Sequence, residues 1–189
     1  ALSGNREKSE LFFSLCGEWN FKFYNSFEDI EDNFFKEKFS ETIAVPCCWQ
    51  TVLGKGYDVP LYSNLFYPFP LDPPHVPDEN PCGVYERDFD VDNTDNNTYF
   101  ILEGVASSAK IEVNGKYVGF SMGNHLQHEF DITDFVVKGK NTVRVYVTKW
   151  SLASYLEDQD CFRFNGIFRD VYILSRPKGH IVDIDIRTV

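Results

Sequence analysis

The sequence predicts an all-β fold, a sandwich of the jelly-roll kind, and three observations carry that prediction. Apolar and polar residues alternate with a period of two in several separate segments, which is the signature of half-buried strands. Asn114-Gly115 stands between two apolar runs, a strong short-range hairpin signal because both turn positions need positive φ. Helical spacing is confined to one weak stretch within Ser26–Phe39. Many short strands separated by turn residues favour a sandwich over any mixed fold.

In chain order, Trp19, Phe21 and Phe23 share one face of a strand over Gly17–Phe23, opposite Glu18, Asn20 and Lys22. Tyr85, Phe89 and Val91 oppose Glu86, Asp88 and Asp90. Tyr99-Phe100-Ile101-Leu102 is a short unbroken apolar run and reads as a central strand. Ile111 and Val113 enter the Asn-Gly turn, and Lys116–Phe120 leave it. Val143, Val145 and Val147 oppose Thr142, Arg144 and Tyr146, and a further strand is expected over Arg169–Leu174.

Two regions break this rhythm. Pro60–Pro81 holds seven of the nine prolines and so cannot be a ladder; it is expected to run as an irregular segment over the surface, ordered by Tyr62, Phe66, Tyr67 and Phe69. Trp150–Gly166 lies between two strands and is crowded with carboxylates and aromatics. After Arg176-Pro177-Lys178-Gly179 alternation resumes with Val182, Ile184 and Ile186. The expected organisation is one sandwich domain over residues 1–177, with 178–189 a linker and the first strand of a following domain, so that the chain reads as a fragment.

Of the 189 residues, 43% are hydrophobic, 25% charged and 16% aromatic, as for a globular domain rich in strand-forming aromatics. The net charge of −11 and the absence of a basic cluster exclude a nucleic-acid binder or a ligand of anionic membranes. No run approaches the roughly 20 apolar residues of a membrane span, and Ala1–Glu10 does not resemble a signal peptide. The cysteines, Cys16, Cys47, Cys48, Cys82 and Cys161, are odd in number and lack a CxxC pair. They are expected to be buried free thiols, which points to the cytoplasm.

The most chemically suggestive run is Glu157-Asp158-Gln159-Asp160. Extended, it would hold Asp158 and Asp160 on one face, roughly 6–7 Å apart at about 3.3 Å per residue. Three readings stand: a glycosidase carboxylate pair, a solvated acidic turn, or a carboxylate that holds a hard cation or a sugar hydroxyl. His125 and His128 lie three apart without a third ligand and read as loop polarity, while His75 and His180 have no evident partner. Trp49, Trp150 and Tyr155 are residues that stack on sugar rings or, more commonly, pack inside. No serine sits in a nucleophile elbow, and neither a P-loop nor a dinucleotide fingerprint occurs.

Taken together, several segments resemble the family-2 glycoside hydrolases, and within them the bacterial β-galactosidase type. Leu15-Cys16-Gly17-Glu18-Trp19-Asn20-Phe21 is similar to the opening L-x-G-x-W-x-F, and Val45-Pro46-Cys47-Cys48-Trp49-Gln50 to V-P-x-x-W-Q, followed by Gly56-Tyr57-Asp58-Val59-Pro60. Tyr62-Ser63-Asn64-Leu65-Phe66-Tyr67-Pro68 resembles Y-x-N-x-x-Y-P and runs on into Pro73–Pro81. Val113-Asn114-Gly115-Lys116, Glu129-Phe130-Asp131, Ser154-Tyr155-Leu156-Glu157-Asp158-Gln159-Asp160 and Gly166-Ile167-Phe168-Arg169-Asp170-Val171 complete the match, which covers about Leu15–Pro177. Cys47, Cys48, Cys161 and Phe66 depart from the residues usual at those points.

The resemblance implies a galactose-binding-domain-like jelly roll followed by an immunoglobulin-like domain and a (β/α)₈ barrel. The reaction it implies is retaining hydrolysis of a terminal β-D-galactoside through a covalent galactosyl-enzyme, with one glutamate as acid/base and another as nucleophile. Both glutamates belong to the barrel, so this chain is expected to hold no catalytic residue. On matching positions Asn64 and Asp160 are expected to bind substrate, and Asp160 also to help ligate a sodium ion shared with other domains. Any magnesium is expected to have its ligands in the barrel. The expected partners are the galactoside, the following domains of the same chain and further copies of the parent in a homo-oligomer, with neither nucleic acid nor membrane. Two other roles compete: an autonomous carbohydrate-binding module, and a structural or oligomerisation domain.

Overall fold

The computed structural model describes residues 6–31, 39–63, 66–157 and 160–188. Their strands, in chain order, are β1 (Phe12–Ser14), β2 (Gly17–Tyr24), β3 (Glu41–Val45), β4 (Leu61–Tyr62), β5 (Cys82–Val91), β6 (Asn97–Leu102) and β7 (Val105–Ala106). There follow β8 (Ser108–Val113), β9 (Lys116–Met122), β10 (His128–Asp131), β11 (Gly139–Thr148), β12 (Phe162–Arg163), β13 (Gly166–Ile167) and β14 (Val171–Arg176). A four-stranded sheet, β1-β14-β6-β10, faces a six-stranded sheet, β3-β2-β5-β11-β8-β9, and two short ribbons, β4–β12 and β7–β13, lie outside them. Every pairing is antiparallel. Among the described residues the only helical elements are short 3-10 turns, and the all-β jelly-roll expectation holds.

The side chains that the period-two pattern assigns to one face meet between the sheets. Trp19 and Phe21 from β2, Tyr85 and Phe89 from β5, and Val143, Val145 and Val147 from β11 pack against Phe100, Leu102 and Ile173 of the opposite sheet. The buried Trp19 indole donates to the Leu15 carbonyl at 2.7 Å, so its one polar atom is satisfied. β6 is indeed central in its sheet, between β14 and β10. Asn114 (φ 50°) and Gly115 (φ 77°) make the tight turn between β8 and β9. Gly83 lies where the rings of Phe21 and Trp49 press on the backbone; a Cβ there would stand 2.8 Å and 2.9 Å from them.

Two expectations need correction. The second face of the six-stranded sheet is not left to solvent at its centre, because Arg144 and Tyr146 are buried beside Val84 and Cys82. Ile30 and Phe39, from the connection between β2 and β3, pack on Tyr24, Cys82, Val84 and Tyr146. Two polar groups trapped there are paired: Arg144 Nε donates to Glu86 at 2.9 Å and the Tyr146 hydroxyl to Glu112 at 3.0 Å. Of the helical stretch expected within Ser26–Phe39, Phe27–Asp29 forms a 3-10 turn capped by Ser26, and residues 32–38 lie outside the described residues. The thiols are also not uniformly buried: Cys82 is, Cys16, Cys47 and Cys48 are partly so, and Cys161 is exposed.

Gly83→Ala is expected to cost about 1–3 kcal/mol, the usual penalty of overpacking a core, whereas Gly179→Ala, with nothing within 4 Å, should leave stability unchanged. Urea denaturation of the two variants checks this; equal midpoints would contradict the packing of Phe21 and Trp49 on β5.

Candidate functional site

Asp160 lies immediately before the β4–β12 ribbon, in which Phe162 pairs with Tyr62 and Arg163 with Leu61. Its carboxylate is at the surface and accepts a hydrogen bond from the Tyr62 hydroxyl. That bond raises the Tyr62 phenol above its ordinary pKa, so the tyrosine stays a neutral donor. The Tyr62 and Phe162 rings are 5.5 Å apart, and Arg163 Nε donates to Ser63 Oγ at 3.3 Å, which ties the two strands together by side chains as well as backbone. Asn64, Asp158 and Gln159 lie outside the described residues, and with them the Asp158/Asp160 spacing.

The ribbon stands on a small aromatic core of its own. Phe69, Trp150 and Tyr155 are buried together with Leu61, Tyr67 and Val76 packed around them. Phe69 meets Trp150 at 4.9 Å and Tyr155 at 5.2 Å, both edge to face. The Tyr155 hydroxyl donates to the His75 carbonyl and lies 3.3 Å from both the Pro70 carbonyl and the Asp72 amide, while the Tyr67 hydroxyl donates to the Tyr155 carbonyl at 2.6 Å. One tyrosine therefore gathers three points of a tract that has few backbone donors to form ladders. Asn80 closes the tract: its amide donates to the Trp150 carbonyl at 2.9 Å and accepts from the Trp150 amide at 2.8 Å. Trp49, Trp150 and Tyr155 are thus buried packing residues, and the reading of them as sugar-stacking platforms is not supported.

A polar network that the sequence did not single out lies beneath. Lys149 Nζ contacts both Asp58 carboxylate oxygens, at 2.7 and 2.9 Å, with the two side chains only 10% and 12% exposed. Gln50 Nε2 donates to Asp58 at 3.0 Å and to Asn165 Oδ1 at 2.8 Å, and Gln50 Oε1 accepts from the Asn165 amide at 2.9 Å. The one available signal was that Gln50 and Asp58 are polar residues inside the V-P-x-x-W-Q and G-Y-D-V-P elements.

A cleft of about 240 Å³ opens beside the ribbon, with Asn124, Trp150, Glu157, Phe162 and Phe164 among its walls. Glu157 accepts from the Asn124 amide at 2.8 Å, so this carboxylate braces a loop. His128, the first residue of β10, meets the Gly123 carbonyl at 3.0 Å, and His125 lies edge-on to Phe168 at 5.4 Å. Among the described residues no group of three or more His, Cys, Asp or Glu side chains is placed to hold a metal ion. Asp160 offers oxygen chemistry suited to a hard cation, but one carboxylate is a fraction of the six or so ligands such ions take.

Among solved structures the fold is similar to a β-glucuronidase of an uncultured Clostridium species, with a TM-score of 0.65 and 22% identity over 90% of this chain and 30% of that one. It is similar also to the Bifidobacterium dentium β-glucuronidase complexed with coumarin-3-O-glucuronide, with a TM-score of 0.64 and 17% identity over 88% of this chain and 30% of that one. At such identities the likeness is one of fold. Residues 12–177 match the family described as glycosyl hydrolases family 2, sugar binding domain, and the chain belongs to that family. Its curated relatives include the β-galactosidase of Actinobacillus pleuropneumoniae, 44% identical over 187 residues and 99% of this chain, and that of Leuconostoc mesenteroides subsp. mesenteroides, 43% identical over 189 residues and 97% of this chain. The chain spans 18% of the length of each.

Two outcomes follow from the site's chemistry. Lys149→Met, which leaves Asp58 charged and deprived of its cation, should lower unfolding free energy by about 3–5 kcal/mol, and a loss below about 1 kcal/mol in urea titrations would class the pair with surface salt bridges. Burial pushes the Cys48 thiol up to about 11 and raises Cys82 further. Since the thiolate is the reactive form, a disulfide reagent at pH 8 should label exposed Cys161 quickly, Cys48 slowly, and Cys82 only on unfolding, with peptide mapping as the readout.

Proposed function

We propose that this chain is the first, non-catalytic domain of a retaining β-galactosidase and that it lends Asp160 and Asn64 to the rim of an active site housed in a separate barrel. The observation that carries the reading is the placement of Asp160: an exposed carboxylate at the mouth of a side-chain-braced ribbon, on the irregular rim of a family-2 sugar-binding domain. The names of the curated relatives supply the substrate class. The exposure of Ile181 (76%), Val182 (85%), Ile184 (67%) and Ile186 (83%) supports a following domain, because these alternating apolar side chains find no core here.

In this reading the barrel supplies the acid/base and nucleophilic glutamates. The chain's own part is binding: the Asp160 carboxylate accepts from a galactose hydroxyl, and the Asn64 amide makes a second contact. A sodium ion, when bound beside Asp160, supplies a fixed positive charge that orders hydroxyl oxygens. Such contacts raise the rate only so far as they strengthen in the transition state. The burial of Trp49, Trp150 and Tyr155 leaves little basis for an autonomous lectin-like site.

The 189-residue chain should not hydrolyse a chromogenic β-galactoside, while the full-length enzyme should. In the latter, Asp160→Asn should lower kcat/KM by about 10- to 100-fold, the worth of about 1.5–3 kcal/mol for a hydrogen bond to a charged group. Turnover by the chain alone, submillimolar galactose affinity in its calorimetric titration, or unchanged activity and sodium dependence in the variant would contradict the reading.

A further inference from the structure

We propose that Tyr62 is a positioning residue for Asp160: its hydroxyl, aimed by the ribbon, holds the carboxylate in the rotamer that receives the sugar. This rests on the reading of Asp160 given above. An aspartate at the surface turns about two side-chain bonds, and a bound ligand must stop that motion at a cost in entropy. The Tyr62 hydroxyl stops it beforehand by donating to one carboxylate oxygen, a charge-assisted bond of the stronger kind.

The donor is itself well aimed. Tyr62 is paired through its backbone with Phe162, and its ring lies 5.5 Å from the Phe162 ring at 53°. The next residue, Ser63, accepts from Arg163, whose guanidinium also lies 3.5 Å from the Ser154 carbonyl and 5.9 Å from the centre of the Trp150 ring. The phenol is thereby linked, through Arg163, to the buried aromatic group around Trp150 and Tyr155. Tyr62 is 50% exposed, and its ring makes no part of the three buried clusters. A tyrosine so placed contributes little to core stability. Its distinctive contact is the one to the carboxylate.

The test is a double-mutant cycle in the full-length enzyme with Tyr62→Phe, Asp160→Asn and the pair, since phenylalanine keeps the ring and removes only the hydroxyl. Dissociation constants for isopropyl 1-thio-β-galactoside, which is not hydrolysed, are measured by calorimetry, with KM, kcat and melting temperature for each variant. Tyr62→Phe is expected to weaken binding and raise KM by about 3- to 10-fold with an unchanged melting temperature. Added to Asp160→Asn, it should do no further harm, because there is then no charged oxygen to position. Losses that multiply, a melting temperature that falls in step with affinity, or unchanged affinity in Tyr62→Phe beside a loss in Asp160→Asn would overturn the role of Tyr62 alone. Unchanged affinity in Asp160→Asn overturns the reading of Asp160, and this inference with it.

Discussion

Asn165 uses all four of its hydrogen-bonding groups to hold together segments that no sheet joins. Its amide and its side-chain oxygen meet the two ends of the Gln50 carboxamide, its side-chain nitrogen donates to the Lys149 carbonyl at 3.2 Å, and its carbonyl accepts from the Trp49 amide at 3.0 Å. Gln50 and Lys149 then converge on Asp58. The constraint behind this is general: a buried backbone group must find a partner, and these segments lie outside the ladders that would supply one. Here amide side chains stand in for the missing strand. Asn80 does for Trp150 what Asn165 does for Trp49 and Lys149.

That substitution explains how a rim outside the sandwich acquires the definition of a core. Two sheets supply a rigid base, the Phe69–Trp150–Tyr155 cluster supplies apolar burial above it, and the amide network fixes the register between them. Tyr62 and Phe162, at the outer end of the ribbon, stand on that ordered base while remaining exposed. The Lys149–Asp58 pair is buried and so adds little net stability by itself, but it penalises any arrangement that separates the two.

Much of the fold was legible because it obeys short-range rules. Trp19, Phe21, Val143 and Val145 alternate, and Asn114-Gly115 names its own turn. What period-two reasoning missed was the cover over Arg144 and Tyr146, since it describes one strand at a time and cannot see a distant segment folding across a sheet. The amide network was illegible for a related reason: Gln50, Asp58, Lys149 and Asn165 are scattered in sequence, and their roles exist only once the chain has closed. The acidic run Glu157–Asp160 stands out in the sequence, yet the choice of Asp160 within it comes from likeness to a family. In the sequence its partner Tyr62 is an aromatic of the proline tract and the first residue of the Y-x-N-x-x-Y-P element, with nothing to link it to Asp160.

Native-state hydrogen exchange tests the central claim most directly, that the irregular rim is part of the cooperative fold. The amides of Cys47, Trp49, Lys149, Trp150 and Asn165 all donate to partners outside the main sheets' ladders. They should exchange with the same free energy as amides in the middle of β5 and β11, at the value for global unfolding. Exchange of these five at the rate of an open loop, while the strands stay protected, would show that the rim opens by itself and would contradict the account.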